Sequence, residues 1–168
     1  MTRSLLLLLM LALAAPVAAQ NVVLLRHAEK ADDGTSDPPL TAFGEARAHA
    51  LIGVLKASGL TATVTSGFQR TVQTAGPAAA YFGATEVVVG VSEGMQAHLE
   101  ATADTVRSFG PDAVVLVSGH SNTIPRIIHA LGGPELPDLN EAEYDLLYFM
   151  DLNADEPELR RIYWRPVE

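Results

Sequence analysis

Val22, Val23, Leu24 and Leu25 are four consecutive aliphatic residues, and Arg26 and His27 follow them at once. Such a run, with two β-branched members, predicts a short strand covered on both faces. In an open α/β sheet, ligands bind at the carboxyl ends of the strands. An Arg-His pair at that end faces a crevice rather than the core. A dipeptide alone is weak evidence, since a solvated strand end gives the same pattern. The rest of the chain decides between the two.

The chain opens with Arg3, an apolar stretch from Leu5 to Ala15, and the small residues Pro16, Val17, Ala18 and Ala19. That layout predicts a cleaved secretory signal over residues 1–19, with a domain over 20–168 exported to the periplasm or outside the cell. The stretch is too short to span a membrane, so no stable membrane association is expected after cleavage. With Cys 0, no disulfide supports an exported domain, which must hold by its core. The formal net charge of −9 argues against a nucleic-acid or anionic-membrane partner, either of which needs a basic face. A site for an anion must then be a local positive focus on an acidic protein.

Ala31 to Pro39, rich in Asp, Gly and Pro, reads as a loop. From Leu40 onward helices and strands alternate. Thr41 is a candidate N-cap for a helix carrying Ala48, Leu51, Ile52 and Leu55 on one face and closed by Gly59. Strand signals follow at 61–66, 86–89 and 113–117. Helices are predicted at 70–82, kinked or divided by Gly76-Pro77, at 94–109, and at 123–131. Residues 144–152 and 159–164 read as an antiparallel pair joined by a turn-rich segment. The fold class expected is α/β, a three-layer α/β/α arrangement with a mostly parallel central sheet and a C-terminal antiparallel strand pair.

Three of these strands end in polar residues able to bind an anion. The first ends in Arg26-His27. The second ends in Ser66-Gly67 and leads to Arg70. The fourth ends in Ser118-Gly119-His120-Ser121-Asn122. Two arginines, two histidines and two helix N-termini then converge on one rim. The planar arginine fork matches phosphate oxygens in a bidentate way.

Arg26-His27-Ala28-Glu29-Lys30, Leu40-Thr41 with Gly44, the run from Ser66 to Ala75, and Gly119-His120-Ser121 together resemble the histidine phosphatase superfamily, which includes the phosphoglycerate mutases. The motifs occur in that family's order. The resemblance implies that His27 is the nucleophile that becomes phosphorylated. It implies that Arg26 and Arg70 hold the phosphoryl oxygens, that His120 donates a hydrogen bond to the transferring group, and that Ser121 helps bind substrate. Ala28 departs from the glycine of the family's best-known motif. The family usually takes its general acid from a carboxylate after the third strand, which points to Glu93 here, with Glu86 second.

The activity so implied is phosphomonoester hydrolysis through a phosphohistidine on His27. Neutral imidazole is a competent nucleophile, and arginines can stabilise the equatorial oxygens without a metal or other cofactor. The partner expected is a small phosphorylated substrate. The alternatives are a non-catalytic phosphate- or phosphosugar-binding module and a phosphomutase of the same fold. Hydrolysis is favoured over mutase chemistry because the sequence offers no insertion long enough for a lid. His27-Ala28-Glu29 matches the H-x-E of zinc deaminases, but the cysteine ligands are absent. Neither a G-x-S-x-G elbow nor a P-loop is present. His49, His98 and His129 fall in predicted helices and read as structural or solvated.

Overall fold

The protein's structure, a computed structural model, describes residues 20–154 and 157–164. The expected signal at residues 1–19 lies outside the described residues, as do Asp155 and Glu156. The strands are β1 (Asn21–Arg26), β2 (Ala62–Ser66), β3 (Thr85–Val89), β4 (Val114–Gly119), β5 (Leu146–Asp151) and β6 (Leu159–Tyr163). Between them lie α1 (Ala42–Val54), α2 (Gln69–Phe82), α3 (Met95–Ser108) and α4 (Ile124–Ala130). The strands form one six-stranded sheet in the order β3-β2-β4-β1-β5-β6. The first four are parallel, β5 runs antiparallel to β1, and β6 antiparallel to β5.

The aliphatic run of β1 behaves as its composition dictates. Val22 and Leu24 enter one core with Val106 of α3, Ile127 of α4, Val115, Val117 and Met150. Val23 and Leu25 enter the other with Leu51 of α1, Ala78 of α2, Leu116 and Leu147. Alternate side chains of one strand therefore feed two cores, with a helical layer on each face of the sheet.

Of the two outcomes expected at Gly76-Pro77, a kink or a division, the structure shows no division: α2 runs unbroken from Gln69 to Phe82. Its loss of one amide donor is offset by a buried face of Thr71, Thr74, Ala75, Ala78 and Ala79 against the sheet. The third strand is a half-exposed edge. Glu86 pairs in register with Thr63 near the start of β2, at the opposite end of the sheet from Ser66. It is exposed there, which removes it as second choice for a general acid at the strand ends.

Candidate active site

Strand register builds the site. Arg26 lies opposite Gly119 across the β1–β4 pair, and Thr65 lies opposite Ser118 across β2–β4. The residues that follow, His27, Ser66 and His120, are thereby brought to one rim. Two glycines permit the close packing beneath them. A Cβ on Gly119 would stand 2.8 Å from the Thr123 hydroxyl, and one on Gly44 would stand 2.2 Å from the Glu29 carbonyl oxygen. The latter approach seats α1 directly on the Arg-His-Ala-Glu segment.

That segment is fixed from several sides. The His27 amide donates to the Gly119 carbonyl at 2.9 Å. The Ala28 amide donates to the Thr74 hydroxyl at 2.9 Å, and that hydroxyl donates to the Arg70 carbonyl at 2.6 Å. The Thr41 hydroxyl caps α1 by accepting from the Gly44 amide at 3.0 Å, while the Thr41 amide donates to the Glu29 carbonyl at 2.8 Å. Glu29 receives Arg47 of α1 through contacts of 2.7–2.9 Å to both of its oxygens. Its carboxylate is therefore a strut between the motif and α1.

His27 is 3% exposed. Its Nδ1 lies 2.7 Å from the Ala28 carbonyl oxygen, which can only accept, so Nδ1 carries the hydrogen and Nε2 keeps its lone pair. Burial is the main cause that lowers its pKa to about 4; the Ala28 contact opposes this, and the charges of Arg26, Arg70 and Lys30 add to it. The ring is neutral at neutral pH. His120 is similar: burial first, then Arg70 and His27, lower its pKa to about 3. Its Nε2 lies 2.9 Å from the Ser66 hydroxyl, itself 2.9 Å from the Thr71 hydroxyl. The two imidazoles stand edge to face with centroids 5.4 Å apart.

A cavity of about 510 Å³ opens here, lined by Arg26, His27, Lys30, Arg70, His120, Ser121, Asn122, Asp138, Leu139 and Glu141. Arg70 stacks on Phe68 at 4.3 Å and lies 3.5 Å from the Asp37 carboxylate. Its Nε and Nη1 are buried without a hydrogen-bond partner. Burial also lowers its pKa, with Asp37 opposing. The Nε of Arg26 is buried and unpartnered in the same way. The Nε donors of both arginines have nothing to donate to, and Arg70 Nη1 has only the long ion pair to Asp37; such buried donors are costly unless an anion completes them.

The helix termini contribute less than the sequence suggests. The first amide of α2, at Gln69, is taken by the Asp37 carboxylate at 2.9 Å, and α4 has only 7 residues. Asp37 comes from the loop after the Arg-His motif and caps α2, whose own cap residue Phe68 offers no side-chain bond. The anion site therefore rests on side chains.

The segment 131–145 between α4 and β5 carries no sequence signal for a role at the site, yet it forms one wall of the cavity. The Nη1 of Arg26 donates to the carbonyls of Glu141 at 2.6 Å and Asn140 at 3.1 Å, and its guanidinium stacks on Tyr144 at 4.3 Å. The Glu141 carboxylate binds both Arg26 Nη2 and the Ser121 hydroxyl. Of the six expected site residues, Arg26, His27, Arg70, His120 and Ser121 line this one cavity. Glu93 does not; it is exposed in the turn after β3, between Val91 and Met95. His98, expected to be structural or solvated, is buried in α3 and lines an adjoining cavity.

Comparison with known proteins follows the same lines. The profile of the histidine phosphatase superfamily, branch 1, matches residues 22–94. A Nakamurella multipartitia protein described as a phosphohistidine phosphatase SixA superposes with a TM-score of 0.60 at 24% identity, over 92% of this chain and 100% of that one. A protein histidine phosphatase SixA complexed with tungstate gives 0.65 at 19% identity, over 86% and 97%. A mycobacterial glucosyl-3-phosphoglycerate phosphatase gives 0.61 at 16% identity, over 87% and 98%. At these identities the structures share a fold with this chain. No curated protein matches it.

Proposed function

We propose that this chain, whose residues 22–94 match the profile of the histidine phosphatase superfamily and whose fold the SixA structures share, hydrolyses phosphomonoesters through a phosphohistidine on His27. The observation that carries the reading is the state of His27. It is a buried, neutral imidazole whose Nδ1 is tied to a carbonyl, leaving Nε2 as a nucleophile in a cavity that holds two guanidinium groups.

In the first step Nε2 of His27 bonds to phosphorus as the bond from phosphorus to the leaving oxygen breaks, and that oxygen takes a proton. In the second step water attacks the phosphohistidine, releases inorganic phosphate and restores Nε2. Arg70 supplies its unpartnered Nε, and its Nη1 beside Asp37, to the equatorial oxygens, Arg26 supplies its Nε, and His120 supplies a further hydrogen bond. Ser121 is proposed to contact the phosphoryl group from the rim. The tungstate bound by the SixA structure, an oxyanion of phosphate-like shape, supports this use of the shared fold. Glu93 is proposed to protonate the leaving oxygen, from a turn flanked by two residues of the adjoining cavity.

The reaction so described needs no metal and no cofactor. Hydrolysis of small phosphorylated molecules outside the cytoplasm, after removal of residues 1–19, completes the proposal. Turnover of a panel of phosphomonoesters by the purified protein, with and without a chelator, tests it. Chelator-insensitive phosphate release that is lost in His27→Ala supports the reading. Full activity in His27→Ala, or activity restored only by added metal, overturns it.

A further inference from the structure

A second cavity, of about 320 Å³, joins the first. It is lined by Phe68, Val91, Met95, His98 and Thr123, and it shares Arg70, His120 and Asn122 with the phosphate cavity. Its character is the reverse of its neighbour's. Phe68 forms a wall that touches both shared catalytic groups, stacked on Arg70 at 4.3 Å and edge-on to His120 at 5.2 Å. Val91 and Met95 stand 38% and 43% exposed beside it, large apolar side chains in water.

Its polar capacity is small. Arg70 is the one charged side chain in its lining, and in the proposed reaction the phosphoryl group takes that guanidinium. The Thr123 hydroxyl accepts from the His120 amide at 2.8 Å, and His98 Nδ1 lies 3.2 Å from the Gly90 carbonyl. Asn122 and the second ring nitrogen of His98 are what remain to answer polar substituents, fewer groups than the hydroxyls of a sugar present. The carboxylates of Asp138 and Glu141 line the phosphate cavity and not this one, and Glu141 already occupies Arg26.

We propose that this second cavity receives the organic part of the substrate, and that the substrate is a phosphomonoester of an apolar alcohol or phenol. A sugar in that position would leave hydroxyl groups without partners, and a phosphoglycerate would leave a carboxylate without a counter-ion. An alkyl chain or ring there removes its own surface and that of Val91 and Met95 from water. The inference rests on the phosphatase reading and names its substrate class.

The test is kcat/KM for ethyl, butyl and hexyl phosphate, set against glucose 6-phosphate and 3-phosphoglycerate. Each added methylene that enters the cavity should raise kcat/KM by about fourfold. The sugar and glycerate esters should fall well below hexyl phosphate. In the double variant V91S/M95S the rise along the alkyl series should flatten. That ratio is internal to one preparation and so independent of the fraction folded. A flat series in the wild type, an unchanged slope in the double variant, or glucose 6-phosphate matching hexyl phosphate overturns the inference. If these arise in an enzyme whose turnover vanishes in His27→Ala, the phosphatase reading stands and only the substrate class falls. If no monoester is turned over, both fall together.

Discussion

The imidazoles of His27 and His120 meet edge to face, with ring centroids 5.4 Å apart and planes inclined at 67°. Burial first, and then the charges of Arg26 and Arg70, disfavour a proton on either ring. The pair is thus kept neutral by position, one ring as nucleophile and the other as a hydrogen-bonding neighbour.

This relationship has a direct reading in solution. The folded-state pKa values of about 4 and about 3 lie below the ordinary value of 6.5. Above pH 6.5 both rings are neutral in either state and cost nothing. As pH falls below 6.5 the unfolded chain takes up protons that the folded site refuses, so stability is lost down to about pH 4 for His27 and about pH 3 for His120. The loss is on the order of 3 kcal/mol for His27 at the acid limit. Imidazole proton resonances followed from pH 8 to 4 check this. Neither ring should titrate above about pH 5, and a midpoint between 6 and 7 for either would contradict the assignment.

Arg70→Ala removes the guanidinium whose Nε and Nη1 are buried without a hydrogen bond, Nη1 having only the ion pair to Asp37 at 3.5 Å. The loss of a bidentate phosphate contact in a desolvated site should cost on the order of 3 kcal/mol, a hundredfold or more in kcat/KM. Arg160, on β6 with a side chain 72% exposed, provides the control, and Arg160→Ala should stay within about twofold. A change of less than about threefold at Arg70 would place it outside the phosphate contacts.

Glu29 and Arg47 form a mostly buried pair between the catalytic segment and α1, with side-chain exposures of 20% and 9%. Removing one partner strands the other, so Glu29→Gln and Arg47→Met should each destabilise by roughly 2–4 kcal/mol. The double variant should cost less than the sum of the two. Urea unfolding midpoints measure this, and purely additive effects would show that the pair is not coupled.

Glu93 is tested by the leaving group. An alkoxide needs a proton in order to leave, whereas nitrophenolate does not, and general acid catalysis typically contributes about 10²- to 10⁴-fold. Glu93→Gln should slow alkyl phosphates at least tenfold and p-nitrophenyl phosphate less than about twofold. Equal rates on both substrates would remove Glu93 from the mechanism and leave water as the proton source.

The strand ends were legible because their signals are local. Runs of β-branched and aliphatic residues mark β1, β2 and β4, and the polar residues that close each run are the ones the fold brings together. Thr41 and Gly44 were legible as a cap and as part of a motif, though only the structure shows that Gly44 admits the Glu29 carbonyl. What could not be read lies in contacts between distant parts of the chain. Arg26 meets Glu141 across 115 positions, through a loop with no periodicity. Asp37 caps a helix 32 positions away, so the first amide of that helix is not free for an anion as the local sequence implies. The unbroken α2 belongs with these, since burial of one helix face outweighed the local signal of Gly76-Pro77.

Covalent catalysis by His27 is the centre of this account, and a rapid-quench experiment with ³²P-labelled hexyl phosphate tests it most directly. Within the first turnover, label should appear on the protein in an acid-labile, base-stable linkage that maps to His27. It should be absent from His27→Ala and decay at the rate of phosphate release. Labelled phosphate released in a first turnover with none ever bound to the protein, or label mapping to another residue, would contradict it.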